Sequence, residues 1–214
     1  MTFLQFVALL ISCFMLLAVV KNTQISALKS DTKMQHRFFG ATALVFILWI
    51  FRTGITEGLV VHFMWLTSLS LVLGFRWALL SASIVLVAVT GLGYEKPSML
   101  GINWLLGVAI PIAISYGIFS WSFHKLPKNV FVYLFVCAFF PGAISISLKM
   151  LMMSAYFAGD TDLTWNVIYQ NYLLLTPLML FPEAFFNGMT MTVLVVHKPQ
   201  WVYTYHDKFY IDNK

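Results

Sequence analysis

The chain has 214 residues, of which 60% are hydrophobic and 10% charged, with a mean hydropathy of +0.84. A soluble domain carries about 25% charged residues, so this chain has too few to cover a surface in water, and its solvent is lipid. The net charge of +5 comes from 13 Lys and Arg against 8 Asp and Glu, but the basic residues stand between apolar runs, which excludes a nucleic-acid patch and points to membrane topology.

A helix needs about 20 apolar residues to cross about 30 Å of hydrocarbon. Seven stretches approach that: 2–20, 38–51, 55–74, 77–93, 100–123, 130–157 and 167–196. The first has no basic residues before it and no small-residue cleavage site after it, so it reads as a retained span. The second is short, and the last holds Pro177 and Pro182, which predict a kink or a partly buried start. Cys13 and Cys137 lie inside apolar runs, form no CxxC, and read as small buried hydrophobes. The expected fold is an all-α polytopic membrane protein of about seven helices, a single domain over 1–214.

The loops carry an orientation signal. Lys21, Lys29, Lys33 and Arg37, then Arg76, then Lys125 and Lys128, then Lys198, Lys208 and Lys214 fall on alternate connections. The other side has Arg52 and Lys96 with Asp160 and Asp162. Cytoplasmic loops are the Lys- and Arg-rich ones, so the N-terminus is expected outside and the C-terminus inside. Lys149 reads as a residue near the outer end of the sixth span, snorkelling outward, too far out to pair with Glu183.

Ionisable groups within apolar spans are costly and usually mark a pathway or a binding site. Glu57 and His62 lie in GITEGLVVHFMWLTSLSLVLG, and Glu183 lies in LLLTPLMLFPEAFFNGMTMTVLVV. On a helical third span, His62 stands about 10 Å below the outer end and Glu57 nearer the surface. Asn103 enters at the outer interface of the fifth span, so these three are expected to line one outward-facing pocket. A neutral imidazole binds divalent transition metals and relays protons. Glu183, beside Pro182, is expected to line a cavity where a helix breaks. The glycines of the spans read as sites of close helix approach. The tail WVYTYHDKFYIDNK reads as an ordered interfacial belt. No nucleophile triad, phosphate loop or redox motif is present, so neither an enzyme nor an ATPase is indicated.

TGITEGLVVHFMWLTSLSLVLG with FRWALLSASIVLVAVTGLG, then PSMLGINWLLGVAIP, then FPEAFFNGMTMTVLVVHKPQWV resemble the substrate-capture permeases of energy-coupling-factor ABC transporters, the cobalt and nickel uptake group. Gly58 and His62 match a Gly-rich turn followed by a His. Leu100, Gly101 and Asn103 match an LGAN-type segment, and Glu183 and Pro199 match the last helix. The resemblance implies a transport subunit of the bacterial inner membrane with Co²⁺ or Ni²⁺ as substrate and no permanently bound cofactor. It also implies, as partners, a membrane coupling subunit and cytosolic ABC ATPases. In that group a Met-His start supplies the free amino terminus and a His as further ligands. This chain has Thr2 there, so His62 alone of the matching set is present, with Glu57 or Asn103 to complete the site. Two other readings compete: a solitary proton- or ion-coupled carrier titrating Glu183 and His62, and a non-transporting assembly factor.

Overall fold

The computed structural model describes residues 1–54 and 58–210. Helices dominate: α1 (Phe3–Lys21), α2 (Ile25–Ser30), α3 (Thr32–Ile50), α4 (Leu66–Leu73), α5 (Phe75–Gly91), α6 (Pro97–Lys125), α7 (Val130–Asp160), α8 (Trp165–Asn171), α9 (Thr176–His197) and α10 (Asp207–Tyr210). α1, α6, α7 and the α8–α9 stretch are long and apolar enough to cross a membrane, and α5 is a shorter apolar helix.

Local signals account for the helix starts. Thr2 caps α1 in a capping box: its hydroxyl accepts the Gln5 N–H at 3.2 Å, and the Gln5 amide oxygen accepts the Thr2 N–H at 2.9 Å. Asp31 caps α3 by accepting the Lys33 and Met34 N–H groups. α1 stands at the periphery, with Phe3, Phe14 and Leu17 outward and only Gln5, Ala8 and Ser12 buried. The small residues Ala8 and Ser12 let α1 meet α6 closely. A Cβ on Gly101 would lie 2.4 Å from the Leu9 nitrogen, and the Ser12 hydroxyl donates to the Gly101 carbonyl.

α6 and α7 each contain a widened π-helical stretch, Leu105–Ala109 and Tyr133–Phe139, immediately before Pro111 and Pro141. Proline lacks an N–H and crowds the carbonyl one turn back, and a wide turn relieves both. α9 passes through Pro182 as one helix.

The described part of the stretch 55–74 contains no membrane-length helix, contrary to the sequence reading. Its described part holds β2 (Val61–His62), paired antiparallel to β1 (Arg52–Thr53), and then only the eight residues of α4. Gly54 and Gly58 make the hairpin: a Cβ on Gly54 would sit 2.5 Å from the Leu59 carbonyl oxygen, and Gly58 has φ +85°. Eight residues rise about 12 Å, too little to cross. All eight are buried, so α4 is a short helix enclosed by its neighbours. An all-apolar run fits a lipid-facing span and a protein-enclosed helix equally well, and that ambiguity misled the reading.

An enclosed short helix leaves backbone groups that only protein can satisfy. The last helix and the tail do so. The Glu183 carboxylate accepts the Met64 N–H at 2.9 Å and the Trp65 N–H at 2.7 Å, and the Asn187 oxygen accepts the Ser68 N–H at 2.8 Å. At the other end, the Leu71 and Val72 carbonyls accept the N–H groups of Thr204 and Tyr203, each at 3.2 Å. The Thr204 hydroxyl adds a bond to Leu71 at 2.9 Å and pairs with the Tyr133 hydroxyl at 2.7 Å. Side chains complete the enclosure through a chain from Thr67 to Ser115 to Ser145, each link 2.8 Å. The described part of the tail, up to Tyr210, is thus held in place, with Tyr205 and Tyr210 stacked on each other and His206 and Asp207 exposed; the last four residues lie outside the described residues.

Candidate functional site: a polar cavity at one end of the bundle

A cavity of about 820 Å³ opens at the end of the bundle that carries the β-hairpin, the α5–α6 loop and the α7–α8 loop. Small-molecule sites commonly measure about 300–1,000 Å³. The hairpin brings His62 to its wall. Trp49 lies against the imidazole, ring centroids 5.0 Å apart, and its indole N–H donates to the Met64 carbonyl. His62 Nδ1 lies 3.0 Å from the Phe63 carbonyl oxygen and so carries the proton. The lone pair therefore resides on Nε2.

That lone pair has a partner. Lys149 Nζ, from α7, lies 3.4 Å from His62 Nε2, and Lys149 is buried. This corrects the outward-snorkelling assignment. Lys149, Met153 and Phe157 line the cavity at helical spacing, so the lysine lies on the inward face of α7.

Asn103 lines the same cavity and donates to Glu95 at 3.0 Å. Glu95 also receives Arg52 at 2.6 Å, and Arg52 bonds the Trp49 and Tyr94 carbonyls. Asn103 thus holds a paired carboxylate at the rim. Among the described residues, no three of His, Cys, Asp and Glu stand together as an ion site. Glu57 lies outside the described residues. Glu183 is not at the cavity wall; its oxygens are engaged by α4 and by Asn187.

The backbone leading from the cavity into α4 is constrained. Trp65, the residue before α4, has φ +53°, the left-handed region that aromatic residues rarely adopt. Glu183 holds its N–H, and Thr190 accepts its indole N–H at 3.0 Å. The peptide joining His62 to α4 is therefore set by α9.

Sequence reasoning placed His62 and Asn103 at the cavity and missed Lys149, Glu95 and Arg52 as their neighbours. Lys149 could have been found from the apolar stripe it shares with Met153 and Phe157. The Arg52–Glu95 pair joins two loops, and no local pattern signals it.

Apolar helices long enough to cross a membrane, around a cavity with polar side chains in its wall that is reached from one end, suit a membrane transport component. The family described as Cobalt uptake substrate-specific transmembrane region, CbiM, matches residues 3–201, and the chain belongs to that family. A solved structure described as a truncated transition metal transporter is similar in fold, with a TM-score of 0.71 at 20% identity, covering 90% of this chain and 95% of that one. No curated protein sequence matches the chain. The protein is a multi-pass membrane component of metal transport.

Proposed function

We propose that the chain is the substrate-binding membrane subunit of an energy-coupling-factor importer for a divalent transition metal ion, cobalt or nickel, in the bacterial inner membrane. One domain spans 1–214, the N-terminus and the cavity face outward, and the basic loops face the cytosol. His62, in the cavity wall, is the first ligand. Asn103 orients Glu95 at the rim, and Glu57, five positions before His62 in the sequence, is the further acidic donor. Glu183 sets the His62–α4 connection and does not itself bind substrate. ATP hydrolysis belongs to cytosolic ABC ATPases acting through a membrane coupling subunit.

The observation that carries this reading is an imidazole in the cavity wall, with Nδ1 turned to the Phe63 carbonyl, in a chain of a cobalt uptake family. Imidazole suits Co²⁺ and Ni²⁺. The solitary coupled-carrier reading needs Glu183 as a titrating partner of His62, and Glu183 is occupied by α4. The test is a titration of the stripped, detergent-purified protein with cobalt and nickel salts, with and without small chelators, read by calorimetry and elemental analysis. Near-stoichiometric binding that His62→Ala abolishes is expected. A folded wild type that retains no metal in any form would overturn the proposal.

A further inference from the structure

The lone pair that a metal requires is already engaged. A bare divalent ion at His62 Nε2 would have to displace the Lys149 amine at 3.4 Å, or share the wall with a buried positive charge. Among the described residues, no three of His, Cys, Asp and Glu stand together to meet it. The nearby Glu95 carboxylate is held by Arg52 and Asn103. The cavity of about 820 Å³ lies in the range of small-molecule sites and has room for an organic body beside the ion. Its walls include Trp49, Met99, Met153 and Tyr172, which suit an organic body.

We propose that the cavity takes its metal as a complex with a small carboxylate-bearing chelator, whose carboxylate rests on Lys149 while the metal meets His62. This rests on the metal-transport reading and specifies its substrate. One exchange resolves both difficulties. The incoming carboxylate gives the Lys149 ammonium a charged acceptor in place of the imidazole, and the freed Nε2 turns to the metal. The chelator brings a preassembled donor set to a wall that gathers no three of His, Cys, Asp and Glu among the described residues.

The test compares Co²⁺ alone, Co²⁺–citrate, Co²⁺–histidine and the two chelators without metal, titrated into the full-length protein in detergent. Wild type, Lys149→Met and Lys149→Arg are used. At least one chelate is expected to bind about tenfold or more tighter than the free ion, because a hydrogen bond between two charged groups is gained. Lys149→Met should lose that preference and Lys149→Arg should keep much of it. If Lys149→Met does not fold, the wild-type comparison with Lys149→Arg decides. Free Co²⁺ binding as tightly as both chelates overturns the proposal and leaves the metal-transport reading standing. A chelator that binds equally well without cobalt also overturns it. Failure of wild type to bind cobalt in any form overturns both.

Discussion

Glu183→Gln is the most direct test of how α4 is held. The substitution keeps the shape of the side chain. One oxygen can still accept from Trp65 and from Asn187, as Oε1 does now at 2.7 and 2.9 Å. The new amide group must then face the Met64 N–H, which Oε2 now receives at 2.9 Å. Two donors meet in a buried place, and one backbone N–H is left unpaired. That costs about 1–3 kcal/mol. Glu183→Ala removes the acceptor for both N–H groups and should cost about twice as much, in the range of 2–6 kcal/mol. For a chain of this size each kcal/mol lowers the melting midpoint by about 2–4 °C. The amide variant should therefore melt about 2–12 °C below wild type, with the alanine variant lower still. The assay heats detergent-solubilised protein at a fixed rate and measures the monodisperse fraction by size-exclusion chromatography. A Glu183→Gln protein that melts with wild type would refute the argument, because it would mean that the carboxylate is not needed as a double acceptor. An alanine variant more stable than the glutamine variant would refute it equally.

Other outcomes follow from contacts elsewhere. Gly101→Ala should destabilise the protein by several kcal/mol, on the order of an overpacked core site, since its Cβ would fall 2.4 Å from the Leu9 backbone nitrogen; the same melting assay reads it. Thr204→Val should cost about 1–2 kcal/mol by removing the hydroxyl shared between Leu71 and Tyr133, and should raise the rate at which protease clips the tail. Glu95→Gln should lower stability by less than about 1 kcal/mol, because the Arg52 pair is partly exposed, with side chains 10% and 24% accessible; an increased salt tolerance of the melting midpoint would reveal the lost ion pair. Gly74→Ala should loosen the tail, as φ is +81° there and a Cβ would meet the Tyr203 ring at 2.9 Å; limited proteolysis after residue 201 measures it.

Much of the architecture was legible because lipid-exposed helices need long apolar runs. α1, α5, α6 and α7 fall within a few residues of the stretches that hydropathy marks. What escaped has one physical cause: it is non-local. The run ending at Gly74 carries the same composition whether it faces lipid or lies wrapped in protein, and partners distant in sequence decide: Glu183 reaches Trp65 across 118 residues and Ser115 reaches Thr67 across 48. Glu183 was recognised as unusual for the right reason, a charge in an apolar helix, yet its role required knowing which backbone groups lack partners. Lys149 reads equally as a snorkelling residue or as a cavity residue until its helix face is fixed by neighbours. His62 and Asn103 were placed at the cavity, although by a helical depth argument that the hairpin replaces.

The pinning of α4 at both ends also sets an order of events during synthesis. Its N-terminal acceptors come from α9 and its C-terminal donors from Tyr203 and Thr204, the latter 133 residues beyond Leu71. At about 5–20 residues per second, the ribosome needs roughly 7–27 s to deliver those partners after Leu71 emerges. Throughout that interval the nascent hairpin and α4 hold unmatched amide and carbonyl groups, so they cannot rest in hydrocarbon. The translocon channel, its water, or an early helix must shelter them. The centre of the molecule is therefore the last part to settle, and a ribosome stalled before residue 204 would release a chain whose outer helices are inserted around an unfinished middle.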